Sequence, residues 1–233
     1  MWIRRYYRGF MHARGYRIER IGEENLPEGA AILAPNHRSI WDGLVVIWAL
    51  RHRVPGTVGK SSLFKIPILA QLLALGDVMP VPHGKKAHPE DGSRPKMNDS
   101  VRDRIANRIF GRGRMLQIFP EGGVYHTAGI TDVKSGAVSM AYRYNVPIVP
   151  VGIGGVEDNK KTRRHMRSGL IVVVFGKPID VQKWMSDNGY ALLDDVDERR
   201  AAYARFNYTV LVPAMQAVYD EAEARALANS HIQ

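Results

Sequence analysis

The sequence contains no cysteine. That removes disulfides, thiolate nucleophiles and cysteine-bearing metal sites together. It is compatible with a reducing compartment without requiring one. No run of about 18 apolar residues occurs, so no bilayer-spanning helix is expected. The longest apolar stretch, residues 66–75, is interrupted by Pro67 and Gln71. No apolar signal-peptide stretch is evident in residues 1–16, where arginines are scattered. Internal repeats and Pro- or Gly-rich linkers are absent as well. The 233 residues, 45% hydrophobic and 24% charged, therefore fit one large α/β domain or two small ones with a sizeable core.

What is abundant is positive charge, a net +10. Such an excess suits nucleic acid, anionic lipid or an acidic carrier protein, or serves solubility alone. Residues 1–22 hold Arg4, Arg5, Arg8, Arg14, Arg17 and Arg20 against the lone acid Glu19, with Trp2, Ile3, Tyr6, Tyr7 and Phe10 interleaved. On a helix, Ile3, Tyr6, Tyr7 and Phe10 share one face. Aromatic and arginine faces on opposite sides suit the headgroup boundary of an anionic bilayer. A second basic run, Lys160, Lys161, Arg163, Arg164 and Arg167, reads as a solvated loop or as a seat for lipid phosphates or an acidic acyl carrier. No nucleic-acid motif accompanies the charge, so no nucleic-acid partner is expected. The histidines are scattered without ligand spacing, and no metal is expected.

Apolar runs at 30–34, 57–60, 77–81, 115–119, 146–153 and 170–175 read as strands. Helical patterns at 43–50, 66–75, 101–110, 135–144 and 194–228 lie between and after them, the last broken near Pro213. Ser39 is a candidate N-cap for the first helix, with Asp42 in its first turn. Residues 82–100 are rich in breakers and read as a long loop. Alternation of strand and helix predicts an α/β fold: a single domain with a mostly parallel central sheet flanked by helices, preceded by an amphipathic N-terminal helix.

The segment Asn-His-Arg-Ser-Ile-Trp-Asp at 36–42 follows the first apolar strand, where open α/β sheets place their sites. On a continuous helix His37 and Asp42 would stand about 140° apart and never meet. A loop entering a helix near Ser39 lets His37 fold back over the first turn. A carboxylate on one ring nitrogen fixes the tautomer and frees the other nitrogen as a base. Alone, such a pair reads first as a structural hydrogen bond. A second segment, Phe119-Pro120-Glu121-Gly122-Gly123, also follows an apolar strand. Its charge stands at a strand end, and its glycine N–H groups suit an oxyanion or phosphate. By itself it is also an ordinary tight turn.

Together these blocks resemble the glycerolipid acyltransferases typified by bacterial 1-acylglycerol-3-phosphate acyltransferase, over roughly residues 28–180. The Asn-His-x-x-x-x-Asp block is Asn36, His37 and Asp42. The Phe-Pro-Glu-Gly block is residues 119–122. Val133-Lys134-Ser135-Gly136-Ala137 is similar to the family's Phe-Lys-x-Gly-Ala, and Val-Pro-Ile-Val-Pro-Val at 146–151 matches the fourth block.

The resemblance implies acyl transfer without a covalent enzyme intermediate. His37 is expected as general base and Asp42 as its orienter. Asn36, Arg38, Lys60, Glu121, Gly122, Gly123 and Lys134 are expected substrate-binding positions. The expected acceptor is 1-acylglycerol-3-phosphate; a lysophospholipid or glycolipid is the alternative, and a non-catalytic binder of anionic membrane or nucleic acid the reading of another class. Expected partners are an anionic membrane surface and, as co-substrate, acyl-CoA or acyl carrier protein; no cofactor is expected. Residues 1–22 are expected to contact the membrane and 23–233 to form the acyltransferase domain, held peripherally on the cytoplasmic face. Two departures bear on the acceptor. His83 stands where the family has arginine, and Gly123-Val124 replaces Thr-Arg.

Overall fold

The computed structural model describes residues 9, 12, 15–75, 77–81, 99–125, 129–130, 132–156, 169–191 and 193–230. Most of the expected N-terminal helix, the loop 82–98 with His83, the second basic run and His126 lie outside them.

The described strands are β1 (Arg17–Ile21), β2 (Ala31–Pro35), β3 (Gly56–Lys60), β4 (Val78–Val81), β5 (Met115–Gln117), β6 (Ile148–Gly154) and β7 (Leu170–Phe175). The α-helices are α1 (Asp42–Ala49), α2 (Pro67–Leu75), α3 (Asp99–Ile109), α4 (Gly136–Tyr144), α5 (Val181–Asp187), α6 (Val196–Phe206) and α7 (Val212–Ser230). The strands form one sheet in the order β1-β7-β6-β2-β5-β3-β4. Every neighbouring pair is parallel except β6 and β7. This is the expected α/β class. Among the described residues no helix is long and apolar enough to cross a membrane.

β2 and β6 are buried along their whole length, as strands covered on both faces must be. Ala31 and Leu33 point to the α1 side, against Val45, Val46 and Ala49. Ile32 and Ala34 point to the other, against Ile109, Met140 and Ala141. Pro150 sits inside β6, where a missing N–H would ordinarily break a ladder. Its carbonyl accepts from Gly176, so its nitrogen faces the β7 side. There the ladder begins at Val151 opposite Phe175, so the proline forgoes only a terminal bond to Gly176.

Three expectations change. Residues 17–21 are not part of an N-terminal helix: they are edge strand β1, paired with β7, so a boundary after residue 22 would cut a strand from its sheet. Ser39 does not cap α1. The helix begins at Asp42 behind Trp41, and Ser39 Oγ accepts from the Trp41 N–H at 3.2 Å. Finally, the C-terminal helices are not broken at Pro213. A π-helical segment, Asn207–Leu211, precedes α7, and the wider turn accommodates a residue that cannot donate to the carbonyl four positions back.

Helix α7 rests directly on the backbone of β6. A Cβ on Gly152 would lie 2.0 Å from the Val218 carbonyl oxygen, and one on Gly154 would lie 2.3 Å from that of Ala222. Real Cβ atoms do not approach so closely, and the obstacle is backbone rather than a movable side chain. Gly152→Ala should therefore destabilise the protein by about 3 kcal/mol or more, measured by urea denaturation.

Candidate active site

Strand β2 ends at Pro35, and the chain leaves the sheet through Asn36. Its side chain continues the ladder: Asn36 Nδ2 donates to the Ile153 carbonyl at 3.1 Å, and the Ile153 N–H donates to Asn36 Oδ1 at 2.7 Å. The loop that follows is therefore tied to β6 at its root.

Asp42, in the first turn of α1, reaches back over that loop. One oxygen, Oδ2, accepts from the Arg38 N–H at 2.6 Å and the Ser39 N–H at 2.8 Å. It also lies 3.0 Å from His37 Nδ1. The carboxylate is 0% exposed, and its other oxygen has no hydrogen-bond partner. Burial pushes the Asp42 carboxyl up from its ordinary value; His37, then the Ser39 and Arg38 N–H groups, oppose that rise. The His37 ring stacks on Phe119 at 4.1 Å between centroids. With Nδ1 held by Asp42, Nε2 is the nitrogen left for a substrate proton, and the ring is partly exposed.

The Phe-Pro-Glu-Gly turn is fastened to this loop from below. Glu121 Oε1 accepts from the His37 N–H at 2.8 Å, and Oε2 pairs with Arg38 Nη1 at 2.8 Å. Arg38 Nη2 donates to the Gly129 carbonyl at 2.7 Å, and the guanidinium lies 5.0 Å over the Tyr219 ring of α7. Arg38 and Glu121 are 2% and 3% exposed. Burial opposes the arginine's charge, yet Glu121 and then Tyr219 hold its pKa above the usual value.

The structure brings Asn36, His37, Arg38, Asp42, Glu121, Gly122 and Lys134 together. Of these, Asn36, Arg38 and Glu121 point inward, with side chains engaged by the protein itself. Gly122 adopts φ +72, and a Cβ there would lie 2.4 Å from Lys134 Nζ. The lysine amine thus lies over the turn, and its backbone N–H donates to Pro120. The Gly122 N–H is taken by the Phe119 carbonyl. Gly123 and Val124 follow, with the Tyr125 N–H bonded to the His37 carbonyl. Lys60 stands at the C-terminal end of β3, two strands from β2 and so about 10 Å away across the sheet.

Gln117, which no motif in the sequence singles out, is fully buried behind the site with neither amide atom partnered. It sits close under Gly43 of α1, whose Cβ would lie 3.5 Å from Gln117 Nε2 and 3.9 Å from the Phe119 ring. The signal was a polar residue inside the apolar run 115–119. Tyr219 had no sequence signal at all.

A buried pair broken on one side costs about 3–5 kcal/mol, because the survivor is left charged and unpaired. Arg38→Met should lose about that much in urea unfolding. The double variant Arg38→Met/Glu121→Leu should recover a large part of the loss, as a double-mutant cycle reads it.

Comparison with known proteins gives the chain a family. A family profile described as Acyltransferase matches residues 17–154. The 1-acyl-sn-glycerol-3-phosphate acyltransferase of Escherichia coli (strain K12) is 29% identical over 159 residues, covering 68% of this chain and 60% of the relative. The enzyme of that name from Haemophilus influenzae is 28% identical over 207 residues, covering 86% of this chain and 79% of the relative. The chain thus spans about 60% of the length of the Escherichia coli relative. The crystal structure of the 1-acyl-sn-glycerophosphate (LPA) acyltransferase PlsC from Thermotoga maritima shares the fold, with a TM-score of 0.63 and 17% identity, covering 94% of this chain and 77% of that one. The profile spans more than half of the sequence, and the chain belongs to the acyltransferase family.

Proposed function

We propose that the protein is an O-acyltransferase that moves a fatty acyl group from a thioester to the free hydroxyl of 1-acylglycerol-3-phosphate. The observation that carries this reading is the 3.0 Å contact from His37 Nδ1 to Asp42 Oδ2, in a chain whose relatives bear that activity in their names. The acceptor hydroxyl approaches His37 Nε2 and attacks the thioester carbonyl. As the new C–O bond forms, its proton passes to Nε2. The C–S bond then breaks, and the proton leaves with the thiol. Asp42 stabilises the imidazolium formed between these steps.

The surroundings support a lipid substrate met at a surface. Ile40, in the loop itself, is 64% exposed. Leu63 and Ile66, beyond the end of β3, and Tyr125, beside His37, are also exposed. Large apolar groups around one site favour an apolar partner, here a membrane on which the protein sits peripherally, at its cytoplasmic face. Lys134 over Gly122, with Lys60 farther along the same edge, supplies cations for an acceptor phosphate. The donor is acyl-CoA or acyl carrier protein. Gly123 and Val124, in place of Thr-Arg, favour a second reading of the same chemistry on another lysophospholipid or a glycolipid.

His37→Ala should lower kcat by at least about 100-fold with the fold intact. Asp42→Asn, which keeps the shape but not the charge, should lower it by a similar factor. Unchanged turnover in either variant removes that residue from the reaction, and absence of turnover in the unaltered protein leaves a non-catalytic binder. An acceptor panel with one acyl-CoA donor should show lysophosphatidate reacting faster than its dephosphorylated analogue. Equal rates contradict a phosphate-bearing acceptor.

A further inference from the structure

A cavity of about 470 Å³ opens between the C-terminal end of α1 and edge strand β1. Its walls carry Arg17, Arg20 and Arg51, with His12, His52 and Trp48. It stands apart from the catalytic chemistry: Asp42 lies in the first turn of α1 and Trp48 near the last, with about 10 Å of helix between them.

The charges there are held in place. Arg20 Nε donates to the Ala49 carbonyl at 3.0 Å, so the negative end of the α1 dipole is met by a cation. Arg51 leaves the helix at φ +48, a left-handed conformation that turns it back toward β1. Its Nε lies 3.0 Å from Glu23 Oε1, and Arg20 Nε lies 3.7 Å from the same oxygen. Arg20 and Arg51 thus meet at one cavity, bridged by a single carboxylate, with Arg17 on its lining. His12 stacks edge-on against Trp48 at 5.6 Å, which closes one wall with aromatic rings.

We propose that this cavity seats the phosphate of an anionic lipid headgroup. Guanidinium groups suit phosphate oxygens, because the planar fork bonds two of them at once. A free phosphate offers the same chemistry. The lipid is the favoured source because His12 belongs to the segment whose preceding residues alternate arginine with Trp2, Tyr6, Tyr7 and Phe10, a pattern suited to the headgroup layer. The cavity also lies at the sheet's edge strand, where a surface can reach it.

The test is co-sedimentation of the full chain with phosphatidylcholine vesicles, with and without phosphatidic acid. Arg17→Gln/Arg51→Asn removes two cavity charges, and asparagine tolerates the positive φ at position 51. Its affinity for the anionic vesicles should fall at least about tenfold, with an unchanged melting temperature and unchanged turnover of detergent-dispersed substrate. Arg17→Gln alone should lose at least about threefold. A control of equal charge, Arg104→Gln/Arg112→Gln on the exposed surface of α3 and the turn after it, should stay within about twofold. Equal losses in cavity and control pairs, or none in the cavity pair, overturn the proposal. So does loss of inorganic phosphate or oligonucleotide binding, read by NMR shifts, in a cavity variant whose vesicle binding is intact. That result assigns the cavity to a soluble anion. Because turnover is read separately, failure here leaves the His37 chemistry standing.

Discussion

The candidate site depends on one buried ion pair. Arg38 and Glu121 meet beneath the loop that carries His37, and each does more than neutralise the other. Glu121 also holds the His37 backbone N–H, while Arg38 reaches the Gly129 carbonyl and the ring of Tyr219. Two loops from separate strands and one C-terminal helix are joined at a single charge contact. A buried pair is a poor source of net stability. Its value lies in geometry, because the low-dielectric interior penalises any arrangement that separates the two charges.

On that base the His37 ring is held from three directions. Asp42 fixes Nδ1, Phe119 lies flat against one face, and Glu121 anchors the backbone. Asp42 is itself held by two backbone N–H groups of the loop it orients. The carboxylate thus organises the loop and the ring together. The close seat of α7 on Gly152 and Gly154 extends the same logic outward, since that helix brings Tyr219 to Arg38.

Much of this was legible in the sequence. Strands β2, β5, β6 and β7 are nearly uninterrupted apolar runs, and such runs between helical patterns give a parallel sheet. The His37–Asp42 pair needed only a loop entering a helix, and that is what forms. Strand β1 was not legible because Arg17, Glu19 and Arg20 make it look like surface. Its edge position, paired on one side only, is what permits the charges. The inward turn of Arg38 and Glu121 was hidden for a related reason. A charged residue reads as exposed until its partner, 83 positions away, is known. Contacts made by α7 depend on where a distant helix comes to rest, which no local pattern specifies.

The central claim is that Asp42 fixes the His37 tautomer and leaves Nε2 bare to take a proton. Nitrogen-15 NMR of the His37 imidazole in its neutral form tests this most directly. The geometry predicts the proton on Nδ1, facing Asp42, with Nε2 unprotonated. A neutral ring carrying its proton on Nε2 would contradict the account.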